Sequence, residues 1–295
     1  MTRILIPPGI GDSYWVLTKL PALIERDNLG TPELTIVSDK SDYNAHLRSI
    51  PFLELFDFIK IGDPVYVPND RSLQYVWDEA YFGPGRSIFR DIMGYDYFIA
   101  YNGRINSGDY IENDNLPCDW HPLMNKNTDG LTKFFREKFR KYAVLFFPFY
   151  GTYACHIQDF PVNRIAEGLN AFFSKTRLTP VFVGADWDIG LNSLVKELIS
   201  QIPNAVNYSG KTTLLEGFGL LKGAEIVAGY HAGFTNMAAV FGIKTLLLWD
   251  SRFPESTSWA CVPPECRRTN YFALPTSGMT PERYTECLMR VVTGA

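Results

Sequence analysis

Residues 220–250, LLKGAEIVAGYHAGFTNMAAVFGIKTLLLWD, carry the pattern that decides the fold. The apolar run at 224–228 predicts a buried strand, and the glycine-containing segment 229–233 predicts a tight turn. Residues 235–241 predict a helix that ends at a glycine, and residues 245–249 predict a second buried strand. In a parallel sheet this order places the turn at the carboxyl ends of the strands. The N–H groups of the helix N-terminus can bind a phosphate or carboxylate there.

The rest of the chain repeats this alternation of strands and helices. In the first half, residues 3–6 and 34–38 predict strands on either side of a helix at 13–26. In the second half, residues 142–147 predict a strong strand, and helices and strands alternate after it. Strands that are separated by helices of this kind imply parallel sheets with right-handed crossovers. The long polar segment 102–130 predicts a loop.

The length and composition predict two globular domains. The chain has 295 residues, of which 46% are hydrophobic and 20% charged, as is ordinary for a soluble enzyme. A single core rarely grows to this length. We place the boundary near residue 140, which gives domains at 1–140 and 141–280. A C-terminal helix within 281–295 could pack back on the first domain.

Charge and cysteine usage exclude several classes of protein. The net charge of −4 does not indicate a surface that binds nucleic acid. The basic segment 133–141 is most simply interpreted as the solvent-exposed face of a helix. Five widely spaced cysteines without a CxxC pair predict neither a disulfide framework nor structural zinc. The N-terminus lacks the pattern of a signal peptide, and no run of 18 apolar residues predicts stable membrane insertion. A cytoplasmic location is expected.

Asp12 lies where the first predicted strand gives way to the first helix. Residues 7–12, PPGIGD, predict a loop, so Asp12 belongs to the loop or to the helix N-cap. Two interpretations stay open. The carboxylate caps the helix, which is worth about 1 kcal/mol, or it is a general base held at a cleft.

Several segments resemble the heptosyltransferase-like glycosyltransferases of family nine, in the same order along the chain. The family's Leu-Gly-Asp step and Leu-Pro-Ala-Leu helix are matched at 10–12 and 20–23, and its Trp-Pro step is matched by Phe160-Pro161. Residues 209–214, SGKTTL, resemble its Ala-Gly-Lys-Thr-Ser-Leu helix entry. Residues 229–242 resemble its Gly-Val-Asp-Thr-Gly-Pro-Met-His segment and the helix that follows.

The resemblance implies an α/β protein of the GT-B fold, with two Rossmann-like, doubly wound domains facing across a cleft. It implies an enzyme, a hexosyl- or heptosyltransferase, whose first domain binds the acceptor and whose second binds a nucleotide sugar. Transfer would invert the anomeric carbon without a metal or cofactor, and Asp12 would be the general base.

The resemblance also implies where the donor nucleotide sugar binds. The predicted donor-binding residues are Gly11, Tyr150, Gly151, Gly184, Lys211, Thr212, His231, Ala232, Gly233, Phe234, Thr235 and Asn236. Among them, Tyr150 and Phe234 are candidates because an aromatic ring can stack on a nucleotide base or a sugar ring.

This chain departs from the family pattern in three places. His231-Ala232-Gly233 replaces Asp-Thr-Gly, Asn236 replaces the following histidine, and Gln158 replaces a lysine. Gly233 keeps the backbone anion site. His231 either donates to a phosphate oxygen or only satisfies the turn.

Other functions fit parts of the pattern. A nucleotide-sugar epimerase or a pyruvyl transferase would share the architecture, and a non-catalytic nucleotide- or glycan-binding protein would explain the three departures. A Rossmann dehydrogenase is disfavoured because the first loop lacks a third glycine, and a serine hydrolase because no G-x-S-x-G elbow occurs. The acceptor stays open among a glycan, a small molecule, a protein and a nucleic-acid base.

Overall fold

The computed structural model describes residues 1–6, 9–38, 45–66, 95–100, 104–106, 116–121, 124, 126–148, 159–184, 193–251, 262–267 and 269–294. The chain divides into two compact units, Met1–Lys126 and Asn127–Ala295. The boundary lies before the helix Asp129–Phe139, which packs against the helix Leu214–Gly223 of the second unit. The boundary that we predicted near residue 140 lies after this helix.

The first unit contains a sheet with a buried central strand. The elements in chain order are β1 Arg3–Ile6, α1 Ile10–Arg26, β2 Glu33–Ser38, α2 Ala45–Leu53, β3 Lys60–Ile61, β4 Val65–Tyr66, β5 Tyr97–Ala100 and β6 Arg104–Asn106. The strand order is β3-β2-β1-β5-β6, and β4 also pairs with β2. All pairs are parallel except β5 with β6. The side chains of Ile4, Leu5 and Ile6 are fully buried, as expected for the middle strand of a sheet covered on both faces.

The second unit is a six-stranded, wholly parallel sheet. Its elements are α3 Asp129–Phe139, β7 Tyr142–Phe146, α4 Val162–Thr176, β8 Thr179–Phe182, α5 Ser193–Gln201, β9 Val206–Asn207, α6 Leu214–Gly223, β10 Ile226–Tyr230, α7 Gly233–Val240, β11 Thr245–Trp249, a 3-10 turn Pro264–Cys266, β12 Tyr271–Pro275 and α8 Pro281–Thr293. The strand order is β12-β11-β10-β7-β8-β9. Strands β10, β11 and β12 therefore run outward on one side of β7, and β8 and β9 on the other, which is the doubly wound Rossmann order.

Helices cover both faces of this second sheet. Leu246 and Leu248 of β11 lie in the core that α4 and α8 complete, whereas Leu247 packs with Ala239 of α7 on the opposite face. This alternation follows from the two-residue period of a strand.

The C-terminal helix α8 packs on α4 within the second unit. The Thr285 Oγ1 hydroxyl donates to the Gly168 carbonyl at 2.9 Å. A Cβ on Gly168 would lie 3.0 Å from the Tyr284 ring, so the glycine allows the two helices to approach closely. None of the helices in the ranges given above is long and apolar enough to cross a membrane.

Candidate functional site

Asp12 lies in the first turn of α1, at the carboxyl end of the central strand of the first unit. The helix begins at Ile10 rather than at residue 13, so Asp12 is inside it. The Ser13 N–H donates to the Gly9 carbonyl at 3.0 Å, which closes the first turn. The two glycines that predicted a loop instead allow the chain to enter the helix. A carboxylate in a first turn is stabilised by the helix dipole.

Gly9 creates the space in which the Asp12 carboxylate lies. Its φ of 115° is a conformation that favours glycine, and a Cβ there would stand 3.0 Å from Asp12 Oδ2. The Gly9 N–H donates to Ser49 Oγ at 2.7 Å, which ties this turn to α2. The half-buried carboxylate is therefore held over the start of α1. The strand order reverses between β1 and β5, and open α/β sheets bind ligands at such a point.

In the second unit, the turn predicted at residues 229–233 begins later than expected. Strand β10 continues through Gly229 to Tyr230, and helix α7 starts at Gly233. The turn is therefore only His231 and Ala232. Gly229 lies within the strand, as the partner of Phe146 on the neighbouring strand β7. The position requires glycine because a Cβ there would lie 1.8 Å from the carbonyl oxygen of Phe146. The turn follows the strand that lies next to β7, at the point where the strand order of this sheet reverses.

The Thr235 hydroxyl organises the short turn. Thr235 Oγ1 accepts from the Ala232 N–H at 3.1 Å and lies 2.8 Å from the Ala232 carbonyl and 3.1 Å from that of Tyr230. The side chain is fully buried. One hydroxyl thus satisfies backbone groups on both sides of His231, and the entry to α7 is fixed before any ligand binds.

His231 and Asn236 are paired across the same turn. Asn236 Nδ2 lies 3.3 Å from His231 Nε2. Asn236 is 1% exposed, and its N–H donates to the Ala232 carbonyl at 2.9 Å. The His231 N–H donates to the Leu248 carbonyl at 2.9 Å. Both side chains therefore start from backbone positions that hydrogen bonds hold in place.

Aromatic rings fill the space beside the turn. The Phe234 ring lies 5.5 Å from that of Phe146 and 6.0 Å from that of Phe218, nearly parallel to the latter. Gly217 allows this packing, since a Cβ there would lie 3.1 Å from the Phe234 ring. On the other face of the sheet, burial raises the pKa of Tyr230, so this phenol stays protonated under ordinary conditions.

The remaining donor-site candidates follow strands β8 and β9. The Gly210 N–H donates to the Gly184 carbonyl at 2.8 Å, and Lys211 Nζ donates to the Asn207 carbonyl at 2.9 Å. Lys211 and Thr212 precede helix α6, whose capping box is formed by Thr213 and Glu216. Because all six strands are parallel, these residues share the sheet edge of His231. Strand β8 lies two strands from β10, which is about 10 Å.

The structure therefore brings together residues 231–236, at the end of β10, and places Gly184, Lys211 and Thr212 further along the same edge. Gly11 lies in the first turn of α1, next to Asp12. Tyr150, Gly151 and Gln158 lie outside the described residues.

Sequence analysis did not single out Asp250, which directly follows β11. It is 3% exposed, and it is the one charged side chain that is buried among the described residues. Its neighbour Trp249 closes the parallel pairing with β12. Asp250 therefore lies at the same carboxyl edge of the sheet as the His231 turn. The signal that could have found it is an acid placed immediately after a fully apolar strand.

The described part of the chain contains no group of three or more histidine, cysteine, aspartate or glutamate side chains that could hold a metal ion.

Comparisons with known proteins find similarity in structure rather than in sequence. No protein-family model matches the chain, and no curated protein matches its sequence. Among solved structures, the chain is similar to the E. coli ADP-heptose LPS heptosyltransferase II, with a TM-score of 0.64 and 13% identity, covering 100% of this chain and 99% of that one. It is also similar to a glycosyl transferase family 9 protein from Veillonella parvula, with a TM-score of 0.56, 11% identity and coverage of 100% and 98%.

A third similar structure is the E. coli heptosyltransferase WaaC with ADP, with a TM-score of 0.56, 11% identity and coverage of 98% and 100%. At these identities the likeness establishes the fold. The GT-B fold predicted from the sequence is confirmed, and in fold the chain resembles the heptosyltransferases of glycosyltransferase family nine along its whole length.

Proposed function

We propose that this protein is a glycosyltransferase that moves a sugar from a nucleotide-sugar donor to a hydroxyl group of an acceptor. The observation that carries the proposal is Asp12, a carboxylate held in the first turn of α1 on a fold that matches heptosyltransferase II from end to end. The hexosyl- or heptosyltransferase character rests on the family resemblance and on this fold.

In the proposed reaction, Asp12 is the general base. It removes the proton of the acceptor hydroxyl, whose oxygen attacks the anomeric carbon of the sugar while the bond to the nucleoside diphosphate breaks. The diphosphate leaves with the bonding electrons, and the anomeric carbon inverts. A positioned carboxylate of this kind contributes about 10²- to 10⁴-fold to a rate.

The second unit would bind the donor at the end of β10. The N–H groups at the start of α7, from Gly233 to Asn236, would meet the charge of the departing diphosphate, and His231 would add a hydrogen-bond donor. The proposal needs no metal, since backbone N–H groups stabilise the leaving group. Lys211 would contribute a positive charge further along the same edge, because its ammonium is exposed.

A thermal-shift screen tests the donor site. The unfolding temperature is measured with ADP, UDP, GDP, CDP and their sugar conjugates, because a ligand that binds only the native state adds RT ln(1 + [L]/Kd) of stability. At a concentration of 100 Kd this is about 2.7 kcal/mol. The donor identified in this way is then incubated with candidate acceptors. Transfer of labelled sugar is the expected result, and an epimerised or pyruvylated product would point to the other enzymes of this architecture.

The main alternative is a protein that binds a nucleotide or glycan without catalysis. The feature that favours it is His231, which stands where the family pattern has a carboxylate. Nucleotide binding without turnover of any nucleotide sugar would support this alternative. If no nucleotide raises the unfolding temperature, the donor site proposed here is wrong.

A further inference from the structure

The basic segment 133–141, KFFREKFRK, is a charged surface that the proposed function does not use. It carries five basic side chains and one acidic one, a net charge of +4 in a chain whose net charge is −4. Most of it belongs to helix α3, which leads directly into the start of β7. The end of the segment therefore lies at the amino edge of the second sheet, whereas the His231 turn lies at the carboxyl edge.

An exposed phenylalanine distinguishes this segment from an ordinary solvated helix face. The Phe134 side chain is 53% exposed, and among the described residues Met1 is the one other large apolar side chain that is so open to solvent. The buried face of the helix is formed by Phe135, whose ring packs against those of Phe139 and Tyr208. Phe134 lies on the outer side of this cluster, among basic side chains. Such a composition is typical of a helix that lies in a lipid interface.

Two of the five basic side chains have partners within the protein. Arg136 Nη2 donates to the Lys222 carbonyl at 3.1 Å, near the end of α6. The Lys138 ammonium lies 5.6 Å from the centre of the Phe134 ring and 5.3 Å from that of Tyr208. These two residues therefore contribute to the packing and the electrostatics of the helix itself.

The other three basic side chains present their charge to solvent. Lys133 is 79% exposed and lies 3.9 Å from Glu137, a surface pair of little strength. Arg140 and Lys141 are also exposed. Within the part of the chain that the structure describes, no hydrogen bond or ion pair engages either of these two side chains.

Arg140 holds its charge at a backbone position that favours glycine. It caps the end of α3 with a φ of 60° and a ψ of −81°, and its N–H donates to the Arg136 carbonyl at 2.8 Å. Helices often stop at a glycine in this left-handed region, because a Cβ makes the conformation costly. Strained residues of this kind cluster at functional sites.

We propose that the basic segment is a docking surface for an anionic phospholipid membrane. The Phe134 ring enters the headgroup region, and Lys133, Arg140 and Lys141 meet the negative headgroups. Each such basic residue strengthens binding about fivefold, and salt screens the attraction. Since the chain as a whole is negatively charged, it adsorbs through this segment. The inference does not rest on the proposed function.

Vesicle flotation with the full chain tests the proposal. We expect binding to vesicles of phosphatidylcholine and phosphatidylglycerol in equal parts at low salt, release at high salt, and much weaker binding to phosphatidylcholine alone. No binding to the mixed vesicles, or equal binding to both kinds, would overturn the proposal. Polyuridylate is tested in parallel. A chain that binds this RNA and not the mixed vesicles has a nucleic-acid partner, and the membrane proposal is then wrong.

Two single substitutions locate the surface. We expect Phe134→Ser to weaken vesicle binding about fivefold, because the exposed half of the ring no longer leaves water. We expect Arg140→Gly to weaken it by a similar factor while the midpoint of urea denaturation stays equal or rises, since glycine accepts the left-handed backbone. A loss of binding without a loss of stability excludes misfolding as its cause. Unchanged binding by either variant would contradict the proposal.

A matched pair of lysines separates this surface from the effect of net charge. Lys133→Ser and Lys196→Ser each remove one exposed positive charge from a helix. Lys196 lies on α5, which packs with α4 on the opposite face of the sheet from α3 and α6. We expect Lys133→Ser to weaken binding to the mixed vesicles about fivefold and Lys196→Ser to change it less than about twofold. Equal effects would show that the net charge, rather than the basic segment, governs the binding, and would refute the proposal.

Discussion

A Cβ placed on Gly229 would lie 1.8 Å from the carbonyl oxygen of Phe146 and 2.7 Å from its carbonyl carbon. Strands β10 and β7 are hydrogen-bonded at this level, where Gly229 is the partner of Phe146. The close approach occurs at the centre of the sheet, two residues before the turn of His231 and Ala232 that leads into α7. The position of the candidate donor site therefore depends on the absence of a Cβ at residue 229, where only glycine fits.

Replacing Gly229 with alanine should severely destabilise the second unit, because the obstructing atoms belong to backbone that cannot rotate away. We expect a loss of more than about 4 kcal/mol in the free energy of unfolding, or failure to fold. Gly130→Ala is the matched control. A Cβ there has open space, and alanine in a helix is favoured over glycine by about 1 kcal/mol. Urea denaturation of both variants measures the difference, and equal stabilities would contradict the close approach.

Replacing Asp12 with asparagine should abolish sugar transfer and leave the fold intact. We expect the rate to fall by at least about 100-fold, the usual contribution of a general base, while nucleotide binding stays unchanged. Asp129→Asn is the control, because Asp129 also lies in the first turn of a helix and loses the same helix-dipole interaction. Turnover by Asp12→Asn above about a tenth of the original rate would remove Asp12 from the role of base.

Replacing Thr235 with valine should loosen the turn that carries His231. The change keeps the shape of the side chain but leaves the Ala232 N–H and nearby carbonyls without the hydroxyl, which costs about 1–3 kcal/mol. Thr285→Val is a matched control, since this buried hydroxyl also lies within hydrogen-bonding distance of two carbonyls, in the interface of α8 with α4. Both variants should lose similar stability in urea. Only Thr235→Val should also weaken nucleotide affinity, and an equal effect on affinity would refute the special role of the turn.

The first unit should lose stability in acid partly through Asp27. Arg26 donates to its two carboxylate oxygens at 2.7 and 2.8 Å, and Tyr97 donates at 2.8 Å. The hydrogen bonds from Arg26, followed by those from Tyr97, hold the pKa of Asp27 below its ordinary value. A lowered pKa in the folded state gives stability that is present above the unfolded pKa, about 3.9, and is lost as the pH falls through the folded value.

Denaturation in urea at pH 7, 5, 4 and 3 measures this dependence. The midpoint should fall between pH 4 and 3 more steeply for the unaltered protein than for Asp27→Asn, which cannot titrate. Parallel curves would show that Asp27 contributes nothing to the acid sensitivity.

The sequence predicted most of the buried strands because their apolar runs are continuous. Residues 245–249 match β11 without error, and Gly242 ends helix α7 with a φ of 75°, as predicted for a helix stop. The edge strand β12 was missed because Tyr271–Pro275 is short, half-exposed and closed by a proline, which is the composition of a strand at a sheet edge. Strand β6 lies within the segment predicted as a loop, since only three residues form it.

Glycines account for the errors at both candidate sites. Gly229 was taken for a turn residue, whereas a neighbouring strand requires it, and Gly9 and Gly11 were taken for a loop that is in fact a helix start. A single sequence shows that a glycine is present, but it does not show which neighbouring atoms leave no space for a Cβ at that position. The contact between His231 and Asn236 could not be predicted from the sequence either, because it depends on the rotamers of two residues five positions apart.

The order of strands in the second unit has a consequence for synthesis on the ribosome. Strand β7 is made before the other strands of this sheet, yet one of its two neighbours is β10, which follows strands β8 and β9 and helices α4, α5 and α6 in the chain. Until that later strand leaves the exit tunnel, one long edge of β7 has no hydrogen-bonding partner and is open to aggregation or to a chaperone. Nascent chains stalled before residue 226 should therefore be sensitive to protease in this half, and chains in which helix α8 has left the exit tunnel should resist it.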